Sequence, residues 1–292
     1  MTGWTIGIIG GSGLYEIEEL DQPEWLAVDS PFGSPSDALL TGRVGHVRLL
    51  FLPRHGRGHV LAPTHVNYRA NIDVLKRAGC TDLLAISSVG SLREELAPGR
   101  FVLPDQFIDR TFAREKSFFE DGVVAHVSMA EPVCPRLSSL AAAAARAAGA
   151  EVSEGGTYLA MEGPQFSTRA ESALYRQWGC DIIGMTAMPE AKLAREAELP
   201  YALVGMVTDY DCWRAETAHV EVSQVIAQLG ANAGLARRLV VELAHLLPQE
   251  RSPSPTDTVL DHALLSDPAR AGVGALERLD AICARVMAAR GG

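Results

Sequence analysis

Two aspartates follow an apolar run of strand length, at a place where unpaired charges are uncommon. Asp209 and Asp211 come directly after the run Tyr201–Val207 and are separated by a single residue. Charged side chains are rarely buried without a partner, so this pair indicates either the capping of a helix or a chemical role. The sequence therefore makes both aspartates candidate catalytic residues.

A second cluster has the donors that a phosphate group requires. Segment 52–59 reads LPRHGRGH and follows another apolar run. The planar guanidinium of Arg54 fits phosphate oxygens, and His55 can add a further donor. A solvated surface loop is the alternative interpretation.

Small hydroxyl residues follow three other apolar runs. Residues 10–13 read GGSG, where the glycines allow backbone N–H groups and the Ser12 hydroxyl to converge on an anion. Ser87 stands at the end of one run, and Thr186 follows another directly before a predicted helix. Each hydroxyl can bind phosphate, although a plain turn explains the same residues.

Larger side chains in two further segments can contact a planar ligand. Phe166 and Ser167 lie in EGPQFSTRAES at residues 162–172, where the phenyl ring can stack on a base. Met185 has a soft thioether that can lie against a sugar. Packing in the core is the alternative for Phe166 and Met185.

These clusters require a scaffold that brings the ends of separate runs together. Apolar runs of strand length alternate with alanine-rich stretches of helical length, which predicts an α/β fold around a largely buried sheet. Loops after the strands are then the places for chemistry. The predicted strands are Thr5–Ile9, Val47–Leu52, Leu83–Ser87, Ile182–Met185 and Tyr201–Val207, and predicted helices include Leu137–Ala150 and Glu190–Ala197.

Charge and composition restrict the class of partner. The 292 residues carry a formal net charge of −10, which disfavours a nucleic-acid surface because phosphate neutralisation requires clustered Lys and Arg. The five cysteines have no CxxC spacing, which predicts neither a disulfide framework nor a zinc site. No basic segment precedes the first apolar run, and no apolar run is long enough to span a membrane, so we expect a cytoplasmic protein without a membrane partner.

The composition changes near the C-terminus. Segment 248–255 reads PQERSPSP and is typical of a linker. We therefore expect a main domain over residues 1–247, a linker over 248–257 and a C-terminal helical tail over 258–292. Val273–Arg290 has helical spacing, and the tail can pack on the domain or on a neighbouring subunit.

Taken together, several segments resemble the trimeric purine nucleoside phosphorylase family, and within it the branch that acts on 5'-methylthioadenosine. The resemblance covers residues 5–247 and implies a single-domain purine nucleoside phosphorylase-like fold, with a twisted mixed central sheet flanked by helices. It also implies a homotrimer that uses inorganic phosphate as co-substrate, with no metal and no organic cofactor. The segments are IIGGSGLYE, LPRHGRGH, VNYRAN, GSLREELAPG, DQFIDRT, EGPQFSTRAES, GMTAMPEA and TDYDCW.

The resemblance also assigns roles to individual residues. It places the ribose against Met185, the base beside Phe166 and Ser167, and Asp209 and Asp211 at the purine edge. His59 borders the pocket for the 5' group, and His126 matches a residue that a neighbouring subunit contributes there. The residues that the resemblance assigns to phosphate are Ser12, Arg54, His55, Ser87 and Thr186.

The polarity of the purine edge favours adenine. The family's 6-oxopurine enzymes have Asn at the position of Asp209 and Glu at the position of Ser167. A 6-amino group donates hydrogen bonds and a carboxylate accepts them, and a mismatch of buried polar groups costs about 1–3 kcal/mol for each group. The resulting hypothesis is phosphate attack on C1' of a 5'-modified adenosine, with Asp209 assisting departure of the purine.

Other functions remain open from the sequence. A methylthio group, a halogen or a hydrogen at the 5' position has a similar footprint, so 5'-halo-5'-deoxyadenosine is an alternative substrate. A phosphorylase for methylthioinosine or inosine is disfavoured by Asp209 and Ser167. A hydrolytic nucleosidase would not require phosphate. A non-catalytic scaffold has no need for Arg54, His55 and Thr186 together.

Overall fold

A computed structural model of the chain describes residues 3–11, 13–120, 122–214, 222–266 and 272–290. Its centre is a large mixed sheet, as the resemblance predicts. Eleven strands occur among the described residues: β1 Thr5–Gly10, β2 Asp21–Leu26, β3 Leu39–Val44, β4 Val47–Pro53, β5 Asp82–Ser91, β6 Phe101–Leu103, β7 Gln106–Asp109, β8 Val152–Glu154, β9 Thr157–Ala160, β10 Ile182–Gly184 and β11 Tyr201–Asp209.

The sheet is parallel at its centre and mixed at its edges. Its main path runs β2-β3-β4-β1-β5-β10-β9-β7, while β11 pairs with β5 and with β6, and β6 pairs with β8. Strand β1 is parallel to β4 and β5, and β5 is parallel to β11. These four strands are apolar and almost completely buried, as expected for parallel strands covered on both faces. Their carboxyl ends therefore meet at one edge of the sheet.

Helices cover both faces of the sheet. Helices α1 and α4 contact each other on one face, while α2 and α5 pack together and against β11 on the other. Ala141, Ala142, Ala144 and Ala145 of α2 are buried there, which permits close approach to the sheet. The described helices are α1 Tyr68–Arg77, α2 Pro135–Ala147, α3 Arg169–Gln177, α4 Ala187–Glu196, α5 Val222–Leu246, α6 Leu260–Ala263, α7 Val273–Arg278 and α8 Ala284–Arg290, with short 3₁₀ turns at Pro63–His65 and Pro255–Thr258.

The segment expected to be a linker is held against the domain. The Arg251 guanidinium forms ion pairs with Asp82, which is completely buried, and with Asp257. The side chain of Ser254 caps the 3₁₀ turn that follows. Ordered contacts of this kind are unusual for a flexible connection.

The C-terminal residues belong to the same hydrophobic core as helices α1 and α4. Buried Leu260, Leu279 and Val286 are part of that cluster. The helical spacing over Val273–Arg290 is interrupted, because α7 ends at Arg278 and α8 begins at Ala284. None of the helices in the described part of the chain is long and apolar enough to cross a membrane.

Candidate active site

A cavity of about 470 Å³ lies at the edge where the parallel strands end. This volume is ordinary for a small-molecule site. Residues that follow β1 and β4 line it, together with residues in or directly after the carboxyl-terminal parts of β5, β10 and β11 and with residues of α5. Nine of the predicted site residues are among the lining residues: Arg54, His55, His59, Ser87, Phe166, Met185, Thr186, Asp209 and Asp211.

Arg54 is held by a buried carboxylate at one end of the cavity. Its Nε and Nη2 donate to the two oxygens of Glu190 at 2.8 and 3.0 Å, and both side chains are almost completely buried. Nη1 and Nη2 also donate to the carbonyl oxygens of Ile86 and Ile9, each at 3.1 Å. Despite burial, the charge of Glu190 raises the pKa of Arg54. The guanidinium is therefore a fixed positive charge at the cavity wall.

Two hydroxyls lie beside this charge because of the strand register. Strand β10 is antiparallel to β5, with Ile183 opposite Gly90, and continuing this register brings Thr186 back to Ser87. The Ser87 and Thr186 hydroxyl oxygens are 3.2 Å apart and both are buried. The Thr186 side chain does not cap α4, so its hydroxyl is available to a ligand. Ser12, the other predicted phosphate hydroxyl, lies outside the described residues.

The sequence suggested that His55 donates a hydrogen bond to phosphate, but in the structure its free ring nitrogen is an acceptor. Its Nδ1 lies 2.8 Å from the carbonyl oxygen of Leu61, which can only accept, so Nδ1 carries the hydrogen. Burial, with the nearby charge of Arg54, lowers the pKa of His55 to about 4. The neutral ring therefore presents Nε2 as an acceptor. The His59 ring stacks on it with centroids 4.3 Å apart.

The two aspartates form the opposite end of the cavity. Asp209 Oδ2 accepts from the Thr208 hydroxyl at 2.7 Å, and Oδ1 accepts from the backbone N–H of Asp211 at 2.8 Å. Oδ2 of Asp211 has no hydrogen-bond partner of ordinary geometry among the described residues, with the Ser172 and Ser167 hydroxyls as its polar neighbours. Burial raises the pKa of both carboxyl groups. Either group can hold a proton above the usual pH range of an aspartate.

The loop that carries Phe166 closes one side of the cavity. The Phe166 ring lines the cavity and is 54% exposed, so it is available to a ligand. The thiol of Cys212 donates to the carbonyl oxygen of Ser167 at 3.2 Å, which ties this loop to the segment after Asp211. The Ser167 hydroxyl donates weakly to Met161 Sδ at 3.7 Å, and Ser167 is not among the lining residues.

Met185 is positioned by residues that the sequence did not single out. Arg114 is buried and donates to the backbone carbonyl groups of Met185 and Met188 and to the carboxylate of Glu162. Burial alone would raise the pKa of Glu162, but hydrogen bonds from Thr64, two backbone N–H groups and Arg114 lower it to about 2. This buried ion pair fixes the Met185 backbone at the cavity.

Sequence reasoning also missed Glu190, although it stands in the quoted segment GMTAMPEA. The available signal was a charged residue within a buried helical segment, which requires an opposite charge nearby. His126, by contrast, is exposed and is not among the residues that line the cavity of its own chain. Among the residues that the structure describes, no group of three or more His, Cys, Asp or Glu is placed to hold a metal ion.

Comparison with known proteins gives a consistent result. Residues 5–244 match the family model of the phosphorylase superfamily. An S-methyl-5'-thioadenosine phosphorylase of Cereibacter sphaeroides is 60% identical over 284 residues, which cover 97% of this chain and 98% of that protein. A protein of the same name from Rhodospirillum rubrum is 55% identical, covering 97% of both chains.

Solved structures agree with the sequence comparison. A methylthioadenosine phosphorylase from an Antarctic soil metagenomic library has a TM-score of 0.91 and 44% identity, covering 97% of this chain and 99% of its own. The Schistosoma mansoni methylthioadenosine phosphorylase in complex with adenine has a TM-score of 0.80 and 40% identity, covering 85% and 93%. The chain therefore belongs to the phosphorylase superfamily and, at this identity and coverage, to its S-methyl-5'-thioadenosine phosphorylase family.

Proposed function

We propose that the protein catalyses phosphorolysis of 5'-methylthioadenosine to adenine and 5-methylthioribose 1-phosphate. The observation that carries the proposal is one cavity with a fixed cation and two hydroxyls at one end and, at the other, two buried carboxyl groups whose pKa values burial raises. Phosphorolysis requires these two environments because an anion attacks C1' while the departing purine gains electrons.

At the phosphate end, Arg54 supplies positive charge, and Ser87 and Thr186 supply donors. Four of the five Arg54 donors are occupied by the protein, so the guanidinium acts mainly as a charge. Neutral His55 offers an acceptor, which matches the P–OH group of a monohydrogen phosphate. Ser12 is proposed as a further phosphate hydroxyl from the resemblance alone.

At the base end, Asp209 is proposed to donate a proton to N7 of the purine. As the C1'–N9 bond breaks, its electron pair moves into the purine, and protonation at N7 makes adenine a better leaving group. Asp211 accepts from the 6-amino group, and Phe166 stacks on the ring. Burial raises the pKa of Asp209, which favours the protonated form that this step requires.

The methylthio substituent is proposed to lie near His59, with His126 of a neighbouring subunit completing the pocket. His126 is exposed in its own chain, and two large apolar side chains are also exposed, Phe112 at 82% and, next to His59, Val60 at 73%. Such surfaces are typical of subunit contacts. We therefore propose a homotrimer, tested by mass measurement in solution and by the loss of nucleoside affinity in His126→Ala.

The cytoplasm is the proposed location. Cys80, Cys134 and Cys180 are buried and form no disulfide bond in the described part of the chain, and buried thiols of this kind fit a reducing compartment.

The experiment that tests the proposed function measures release of adenine from methylthioadenosine with and without phosphate. We expect release only with phosphate, and little reaction of methylthioinosine, because its O6 would face carboxylates. Methylthioinosine as the better substrate would contradict the assignment of Asp209. The same assay with 5'-chloro-5'-deoxyadenosine compares the chloro and methylthio groups as 5' substituents.

A further inference from the structure

One buried hydroxyl close to the phosphate end is not used by the proposed reaction. Tyr158 lies in β9 and is completely buried, and its phenolic oxygen has no hydrogen-bond partner of ordinary geometry among the described residues. Buried hydroxyls are normally hydrogen-bonded, because an unsatisfied one costs about 1–3 kcal/mol. An orphaned phenol at this place therefore requires an explanation.

The sheet directs this phenol toward the two phosphate hydroxyls. Tyr158 pairs with Ile182 of the parallel neighbour β10, so its side chain lies on the face of the sheet to which a side chain at position 184, here glycine, would point. Its ring packs edge-to-face on Phe107. The polar groups nearest the phenol are the Ser87 hydroxyl and the backbone N–H groups of Thr186 and Ala187 at the start of α4.

Gly184 makes this approach possible. A Cβ atom at position 184 would lie 2.0 Å from the Tyr158 oxygen, far below any permitted contact. Glycine inside a strand commonly marks such a close approach. The phenol therefore occupies the space that a side chain at 184 would fill, directly behind the residues that line the cavity.

We propose that Tyr158 is a positioning residue for phosphate, which orients the Ser87 hydroxyl so that its single hydrogen points into the cavity. In the present arrangement the Ser87 oxygen lies 3.2 Å from that of Thr186 and 3.3 Å from the carbonyl oxygen of Ser88, both of which can take its hydrogen. When phosphate binds, the Ser87 hydrogen turns to the anion, and its oxygen accepts from Tyr158.

The backbone completes this chain of hydrogen bonds. The N–H groups at the start of α4 lie near the phenolic oxygen, and their partial positive charge makes the phenol a better donor. The resulting order is backbone N–H to Tyr158, Tyr158 to Ser87, and Ser87 to phosphate. Burial raises the pKa of Tyr158, which keeps its hydrogen in place at neutral pH. The inference rests on the proposed function, because it assigns phosphate to Ser87.

The test is Tyr158→Phe, which removes the hydroxyl and retains the ring. We expect the KM for phosphate to rise roughly 3- to 10-fold, as for one lost hydrogen bond, with the KM for methylthioadenosine unchanged. Stabilisation of the protein by added inorganic phosphate, measured as a shift in Tm, should fall in parallel and does not depend on activity.

Tyr175→Phe is the matched control. Tyr175 is also a buried tyrosine, but it belongs to a separate apolar cluster with Leu159 and Cys180, and none of these three residues lines the cavity. The control should leave the KM for phosphate within about twofold of the wild type. A Tyr158→Phe enzyme with an unchanged phosphate KM would overturn the inference, and so would equal changes in both KM values with a matching loss of Tm. A wild-type enzyme that needs no phosphate would instead overturn the proposed function.

Discussion

The charged groups at the two ends of the cavity differ in how completely they are hydrogen-bonded. At one end, both oxygens of Glu190 accept from Arg54 and one also accepts from the Tyr201 hydroxyl at 3.0 Å, so each carboxylate oxygen has a partner. At the other end, Asp211 keeps a carboxylate oxygen without a partner of ordinary geometry in the described part of the chain. Burial raises the pKa of this carboxyl group.

This difference separates two tasks. A charge that is fixed by hydrogen bonds can hold an anion without rearrangement, whereas a buried carboxyl group with few donors can gain and lose a proton. The same reaction requires both, because phosphate must be held while a proton reaches the purine. Substitutions at the two ends should therefore have separable effects.

The largest expected effect comes from Asp209→Asn, which removes the proposed proton donor. We expect kcat/KM for methylthioadenosine to fall by about 10²–10⁴, the usual contribution of general acid catalysis. The ratio of methylthioinosine to methylthioadenosine activity should rise, because an amide can donate to O6. Stabilisation by phosphate should stay at the wild-type level, and its loss would show that the two ends are not separable.

The next effect comes from Glu190→Gln, which leaves Arg54 as a buried charge without a counter-ion. We expect a loss of about 3 kcal/mol in the free energy of unfolding, measured by denaturant titration, because breaking a buried pair exposes its full desolvation cost. The matched control is Asp37→Asn, which breaks the more exposed pair with Arg57 and should cost at most about 1 kcal/mol. Equal losses in the two variants would contradict the role of burial.

A third buried carboxyl group, outside the cavity, tests whether a raised pKa is sufficient to identify a catalytic residue. Glu196 is buried away from the cavity and accepts from the Phe118 backbone and the Ser117 hydroxyl. Burial raises its pKa to about 7, so its stabilising contribution is complete below about pH 4.5 and is lost as the pH rises through 7.

Glu196→Gln should therefore be more stable than the wild type at pH 8, by on the order of 2 kcal/mol, with no difference near pH 4.5. Thermal unfolding at the two pH values measures this, and kcat for methylthioadenosine should not change. A stability difference that is independent of pH would disprove the protonated state.

The smallest expected effect comes from Phe166→Leu at the base end. Loss of stacking should raise the KM for methylthioadenosine by about 3- to 10-fold and leave the KM for phosphate unchanged, since aromatic pairing contributes about 0.5–1.5 kcal/mol. Steady-state kinetics with each substrate varied in turn measures both constants. An equal rise in the KM values for methylthioadenosine and phosphate would contradict a contact of Phe166 with the base alone.

The sequence predicted the sheet, and nine of its twelve candidate site residues line the cavity, because each polar cluster follows an apolar run. It did not predict the partner of Arg54, which is 136 residues away in the chain and is brought close only by α4. The position of the ring hydrogen on Nδ1 of His55 is set by the carbonyl oxygen of Leu61. The proposed role of Tyr158 depends on the space that Gly184 leaves beside its hydroxyl. Such features are set by three-dimensional packing, which periodicity does not encode.

The central claim is that the anion held beside Arg54 attacks C1', and the most direct test follows the fate of phosphate. Purified protein is incubated with methylthioadenosine and a limiting amount of inorganic phosphate, and adenine, remaining phosphate and the sugar product are measured together. We predict one phosphate consumed for each adenine released, with 5-methylthioribose 1-phosphate identified by mass. Adenine released with phosphate unconsumed, and free methylthioribose as the sugar product, would contradict the account.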